Sequence, residues 1–131
     1  MDNTPSSPPA VPVLSLAFLG DSVYELMVRE HILSKCAAKP EALHAGQIGM
    51  SNAAFQAKAA DAITPFLSGE ELAVFKSGRN AKTSHRPGGG TVAQYHAATG
   101  LEALFGRLYL DGRTGRLKEL FEIIVKTTNS R

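Results

Sequence analysis

Two carboxylates lie one helical turn apart in an apolar stretch near the start of the chain. Asp21 and Glu25 fall within residues 13–34, where apolar residues recur at the spacing of a helix that is buried around much of its circumference. Because residues four apart share a helix face, this pair could bind one divalent cation. The alternative is that Asp21 lies on the one solvated stripe of the helix, since a carboxylate among apolar neighbours needs a cation, a partner or water.

A third carboxylate, Glu102, lies far along the chain in a second apolar stretch. Thr99 and Glu102 have the spacing of a capping box, in which Glu102 would only stabilise the N-terminus of a helix. Tyr95 and Ala98 already continue a helical pattern, however, and a cap at Thr99 would have to interrupt it. The functional alternative is that Glu102 is a second metal-binding carboxylate that faces Asp21.

A basic segment lies between Glu71 and Glu102, where no acidic residue occurs. It carries cations together with an amide and a hydroxyl, at Lys76, Arg79, Asn80, Lys82, Thr83 and Arg86. The net charge of the whole chain is only +2. The segment is therefore either a local anion-binding feature or a solvated loop.

Length and composition limit the class of protein. A chain of 131 residues with 44% apolar and 20% charged residues is typical of one folded domain. The single cysteine, Cys36, excludes an internal disulfide and a cysteine-rich zinc site. No apolar run is long enough to span a membrane. The Pro/Ser-rich start predicts a disordered tail over residues 1–10, followed by a domain over residues 11–131. Because this start lacks the features of a secretory signal, we expect a cytoplasmic location.

Every element that the sequence predicts is a helix, and the fold class is therefore all-α with five to seven helices. Gly20, in the middle of the first helix, predicts close packing against another backbone. Gly78 is predicted to end a helix that begins with the capping-box pair Ser68 and Glu71. The predicted helices cover residues 13–34, 40–49, 51–63, 70–77, 92–110 and 113–127.

Two segments together resemble a known enzyme family. Phe18-Leu19-Gly20-Asp21-Ser22-Val23 resembles the signature helix of the ribonuclease III family. Leu101-Glu102-Ala103-Leu104-Phe105-Gly106 resembles that family's second catalytic helix, and the two blocks have the expected separation. With Gly78-Arg79-Asn80-Ala81-Lys82-Thr83, the chain is similar to the Mini-III subfamily, which consists of the catalytic domain without a double-stranded RNA-binding domain.

The resemblance implies a ribonuclease III-type endonuclease domain that hydrolyses double-stranded RNA. It implies Mg²⁺ as cofactor, for which Mn²⁺ is expected to substitute, a homodimer, and 23S ribosomal RNA precursor as the substrate. Asp21 and Glu102 are then the expected catalytic and metal-binding residues, and Glu25 is a further candidate ligand. The basic segment is expected to bind RNA phosphates and sugars. The first helix, with Gly20 allowing close approach, is the candidate dimer interface.

Two acidic positions usual in ribonuclease III are absent, because Ala17 and Thr99 stand there. The number of metal ions is therefore left open. The same departures motivate an alternative function, a non-catalytic RNA-binding or ribosome-assembly module on the same fold. The presence of both Asp21 and Glu102 favours the enzyme, since a binding module would not need them. A protein–protein adaptor without an RNA role is a third alternative.

Overall fold

The computed structural model describes residues 10–35, 39–82 and 90–129. Within these ranges the chain forms six α-helices and a short 3₁₀ turn over Thr64–Phe66, and no strand, so the all-α prediction is confirmed. No helix in the described part combines the length and hydropathy that crossing a bilayer requires. The helices are α1 (Val13–Lys35), α2 (Pro40–Ser51), α3 (Ala53–Ile63), α4 (Gly69–Asn80), α5 (Val92–Leu110) and α6 (Thr114–Asn129).

Helix α5 is the centre of the fold, since α1, α3, α4 and α6 all pack against it. Its apolar side chains are buried together with those of α1 and α6. Tyr24 of α1 is fully buried, and its ring contacts Phe105 and Phe121 edge to face at centroid distances of 5.6 and 6.2 Å. Each large apolar side chain buried in this way stabilises the fold by roughly 1.5–3 kcal/mol. The helix that carries Glu102 is thus the most firmly held element.

Two glycines let α1 and α5 approach at backbone distance. A Cβ atom at Gly20 would overlap the carbonyl group of Glu102 and lie 2.8 Å from the backbone nitrogen of Gly106. A Cβ atom at Gly106 would in turn overlap the carbonyl of Leu16. The predicted close packing at Gly20 is confirmed. Its partner is α5 of the same chain, however, so the expectation that Gly20 serves a dimer interface is wrong.

The prediction that Gly78 ends its helix is also wrong, because α4 continues to Asn80. Gly78 is buried against α5, where an added Cβ would lie 2.8 Å from the Cβ of Ala103 and 2.9 Å from the Cα of Gly100. The glycine therefore allows α4 to pack closely on α5. The sequence alone does not distinguish a glycine with this role from a glycine that ends a helix.

The helix caps follow the sequence closely. The predicted capping box is present, since the Ser68 hydroxyl accepts from the Glu71 amide at 3.2 Å and the Glu71 carboxylate accepts from the Ser68 amide at 2.9 Å. Gly112, at φ 71°, follows the end of α5 at the predicted turn. Residues 1–9 of the tail predicted over residues 1–10 lie outside the described residues, and so does Cys36.

Candidate active site

Asp21 and Glu102 meet between α1 and α5. The Gly20 contact brings α1 against the main chain of Glu102, so the next residue, Asp21, lies beside the Glu102 side chain. The two carboxyl groups lie close enough to interact, and this contact helps to raise the pKa of Glu102. Asp21 is exposed, as the solvated-stripe alternative predicts, but it has Glu102 as a neighbour. Asp21 and Glu102 therefore form a pair of adjacent carboxyl groups that solvent can reach.

The Glu102 carboxyl is held in an environment that disfavours its ionised form. Burial raises the pKa of Glu102 to about 8, and the negative charge and hydrogen bond of Asp21 act in the same direction. The charge of Glu25 adds a smaller effect, whereas a hydrogen bond from Gln56 opposes the shift. A divalent cation could replace the proton of Glu102, because two adjacent carboxylates provide the oxygen donors and the negative charge that hard cations bind. This donor set fits Mg²⁺ or Mn²⁺ with water completing the coordination.

Glu25 has other partners. Its carboxylate accepts a hydrogen bond from Gln47 Nε2 at 2.9 Å and lies 3.7 Å from the Arg29 guanidinium. Within the described ranges no three His, Cys, Asp or Glu side chains are grouped closely enough to bind one metal ion. Glu25 acts on Glu102 through its charge, and its role as an added ligand stays a prediction.

The two positions without the family's usual acid are both buried. Thr99 is 5% exposed inside α5, and its hydroxyl donates to the Tyr95 carbonyl at 3.0 Å. Because the helix runs unbroken through Thr99, the capping-box alternative for Thr99 and Glu102 is wrong. Ala17 is 7% exposed and packs beside Ala103. Neither position supplies a carboxylate, so the pair carries the site's acidic character.

Gln56 is the residue beside the pair that the sequence analysis missed. It is 3% exposed on α3, its amide donates to the Ser51 carbonyl at 2.9 Å, and the same amide acts on Glu102 by lowering its pKa. A signal was present, because Gln56 falls on the same helical stripe as the buried Ala60 and Ile63, where an amide is unusual.

The basic segment is described in part. Lys76, Arg79, Asn80 and Lys82 are exposed, and the first three lie on the last two turns of α4. The Arg79 guanidinium lies over the Phe75 ring at 5.6 Å. Gly78 contacts the same turn of α5 that carries Glu102, so this end of α4 is held next to that turn. The predicted RNA-binding residues Thr83 and Arg86 lie outside the described residues.

Known proteins share both the sequence and the fold. The Ribonuclease III domain family matches residues 14–113. Mini-ribonuclease 3 of Symbiobacterium thermophilum is 38% identical over 117 residues, which cover 89% of this chain and 90% of that protein. Mini-ribonuclease 3 of Desulfitobacterium hafniense is 46% identical over 109 residues, which cover 83% of this chain and 69% of that protein. A crystal structure of a Fusobacterium nucleatum protein matches with a TM-score of 0.79 and 30% identity, covering 87% of this chain and 93% of that one. The chain therefore belongs to the ribonuclease III family of endoribonucleases, within its Mini-ribonuclease 3 group.

Proposed function

We propose that this protein is a metal-dependent endoribonuclease that cleaves double-stranded RNA in the cytoplasm, with 23S ribosomal RNA precursor as its substrate. The observation that carries the proposal is the Asp21–Glu102 pair, brought together from two helices by the Gly20 contact. Family membership supports the reaction class, because the matched region contains both carboxylates. A carboxyl group whose pKa is strongly raised by desolvation and by a neighbouring charge is typical of a functional site.

Asp21 and Glu102 would bind Mg²⁺, and Mn²⁺ would substitute for it. When bound, the ion supplies positive charge that lowers the pKa of a water molecule and stabilises the charge that develops on the phosphate. Glu102 must lose its proton for this, and the hydrogen bond from Gln56 favours that ionised form. The exposed Asp21 leaves the pair open to a phosphate approaching from solvent. Hydrolysis would leave 5′-phosphate and 3′-hydroxyl ends.

The cationic end of α4 would bind the RNA backbone. A-form duplexes are recognised through phosphates and 2′-hydroxyls rather than base edges. Arg79 and Lys82 provide cations for phosphate, and Asn80 an amide for the sugar, at exposed positions. Because α4 is packed on the turn of α5 that carries Glu102, phosphates bound here would lie near the carboxylate pair.

A homodimer would place two such sites across one duplex. The apolar side chains left on the surface include Phe18 at 83%, Leu26 at 58% and Tyr109 at 49% exposed, and the last two line a groove of about 310 Å³ between α1 and α6. Exposed apolar surface of this kind marks an interaction site. A second copy is the occupant we propose, because an isologous pair matches the two-fold relation of the two RNA strands.

The nuclease proposal is tested with purified protein, duplex RNA and Mg²⁺. Wild-type protein should cut duplex RNA and leave single-stranded RNA intact, EDTA should abolish cutting, and Asp21→Asn should cut far more slowly. Duplex binding with no cleavage at high protein concentration, unaffected by EDTA, would instead support the non-catalytic RNA-binding module. Failure to bind RNA even at low salt would support the adaptor.

A further inference from the structure

Gln56 is an unusual residue for the interior of this fold. Three polar or charged residues are buried in the described part of the chain, namely Gln56, Glu71 and Thr99. The Thr99 hydroxyl and the Glu71 carboxylate have their partners within the fold. The Gln56 side-chain oxygen is buried without a hydrogen-bond partner among the described residues. An apolar side chain of the same length would avoid that cost, so packing alone does not account for this amide.

The Gln56 amide lies between a main-chain carbonyl and the Glu102 carboxyl group. The Ser51 carbonyl can only accept, so the hydrogen bond of 2.9 Å to it fixes the amide nitrogen on that side. On its other side the amide interacts with the Glu102 carboxyl group, which lies on the neighbouring helix α5. Ser51 is the last residue of α2, and its neighbour Met50 is tied to α1 through the Tyr24 hydroxyl at 2.7 Å. The amide therefore connects Glu102 to a corner of the fold that is itself anchored.

From this geometry we infer that Gln56 is a positioning residue for Glu102, whose amide holds the carboxylate next to Asp21 in the orientation that binds the metal ion. The inference rests on the proposed function of the pair. Outer partners of this kind orient metal ligands, and their loss weakens metal binding or activity by about 10- to 100-fold.

The test measures Mn²⁺ binding to the full chain without RNA. Calorimetry, or the electron paramagnetic resonance signal of free Mn²⁺, gives the affinity. Gln56→Met keeps the side-chain length and removes both donors. It should weaken Mn²⁺ binding by about 10-fold or more and lower kcat at subsaturating Mg²⁺. Its affinity for duplex RNA in Ca²⁺ should be unchanged, and its melting temperature should be at or above the wild-type value. Wild-type Mn²⁺ affinity in this variant would overturn the inference.

The matched control is Gln47→Met, since the Gln47 amide also bonds a carboxylate, that of Glu25. It should change Mn²⁺ affinity far less than Gln56→Met. An equal loss in both variants would show that removing any amide near the acidic residues weakens Mn²⁺ binding, and would contradict a specific role of Gln56.

A measurement on the unmutated position keeps the inference testable if Gln56→Met does not fold. In ¹⁵N-labelled wild-type protein, saturating Mg²⁺ should shift the side-chain amide resonances of Gln56, and the shift should disappear in Glu102→Ala. Absence of the shift in wild-type protein that does bind Mg²⁺ would overturn the role of Gln56 alone. Wild-type protein that neither binds Mn²⁺ nor cuts RNA would overturn the proposed function as well.

Discussion

The backbone of Gly20 packs directly against the main-chain carbonyl of Glu102, so that any side chain at residue 20 would occupy the space of that carbonyl. The contact has two consequences. It lets α1 and α5 approach at backbone distance, and it places Asp21 beside the Glu102 carboxyl. The packing of the core and the assembly of the carboxylate pair therefore both depend on the absence of a side chain at residue 20.

Gly20→Ala is expected to damage both. An added methyl group at a tightly packed contact costs about 1–3 kcal/mol or more, and separation of α1 from α5 moves Asp21 away from Glu102. Urea unfolding and RNA cleavage at a temperature where the variant is folded measure the two effects. The matched control is Gly49→Ala in α2, where a Cβ meets nothing within 4 Å. It should be neutral or stabilising by about 0.4–1 kcal/mol, and equal behaviour of the two variants would contradict the account.

Ionisation of Glu102 should lower the stability of the metal-free protein as the pH rises towards 8. Because the pKa of Glu102 is raised to about 8 in the folded state, the folded protein binds an extra proton between the ordinary glutamate pKa and pH 8. Stability from this group is therefore present at low pH and lost as the pH rises through 8. Glu102→Gln should be more stable than wild type at pH 9 in EDTA, by about 1 kcal/mol or more, and similar to it at pH 4. Urea unfolding that shows no gain at pH 9 would refute this.

The Glu71–Arg116 pair should stabilise the protein with the opposite pH dependence. Glu71 is 4% exposed and accepts two bonds of 2.8 Å from Arg116, whose hydrogen bonding, together with the Ser68 amide, lowers the pKa of Glu71 to about 2. The stabilisation is thus present above the ordinary glutamate pKa and lost as the pH falls towards 2. Glu71→Gln should cost about 3–5 kcal/mol at pH 7 and flatten the acid side of the stability curve.

The control for that substitution is Glu70→Gln, one residue earlier and exposed. It should change the free energy of unfolding by less than about 0.5 kcal/mol. Similar losses in the two variants would mean that helix-end charge, and not the contact with Arg116, stabilises this part of the fold.

Arg79→Ala or Lys82→Ala should weaken binding to every duplex sequence alike. Each lost phosphate contact should reduce the salt dependence of log K by roughly one unit or slightly less, while cleavage at saturating RNA falls much less than in Asp21→Asn. Lys126→Ala, on α6, serves as the control because that exposed lysine lies on a helix outside the proposed RNA surface. Affinity and salt slope that do not change in either Arg79→Ala or Lys82→Ala would refute the RNA-binding role.

Phe18→Arg should convert the protein to a monomer and reduce cleavage, because the 83% exposed ring is the most exposed of the large apolar side chains on α1. Sedimentation velocity at micromolar concentration measures the change. Phe66→Arg is the matched control, since that ring is also largely exposed, at 58%, but lies on the 3₁₀ turn and not on α1. A wild-type monomer, or equal dissociation by both substitutions, would speak against the proposed interface.

The helices could be predicted because their signals are local. Apolar periodicity and the Ser68–Glu71 capping box depend on neighbouring residues, and both agree with the structure. Gly78 was misjudged because a glycine that ends a helix and a glycine that admits a neighbouring helix look alike without the partner in view. The Gly20 interface was misjudged for the same reason, as the chain itself supplies the packing partner.

The candidate site was only half visible from the sequence. Asp21 and Glu102 stand in motifs, so a resemblance could pair them across about 80 residues of intervening chain. Gln56 has no motif, and its contact with Glu102 exists only because α3 packs on α5. The raised pKa of Glu102 likewise arises from burial and from Asp21, neither of which a linear pattern reports.

The central claim is that Asp21 and Glu102 together bind the catalytic cation. It is tested most directly by a crystal structure of the protein soaked with Mn²⁺ and measured at the manganese absorption edge. The account predicts an anomalous peak within coordination distance of carboxylate oxygens of both residues, absent from crystals of Glu102→Gln treated in the same way. A crystal of catalytically active protein with Mn²⁺ bound elsewhere, and none between Asp21 and Glu102, would contradict it.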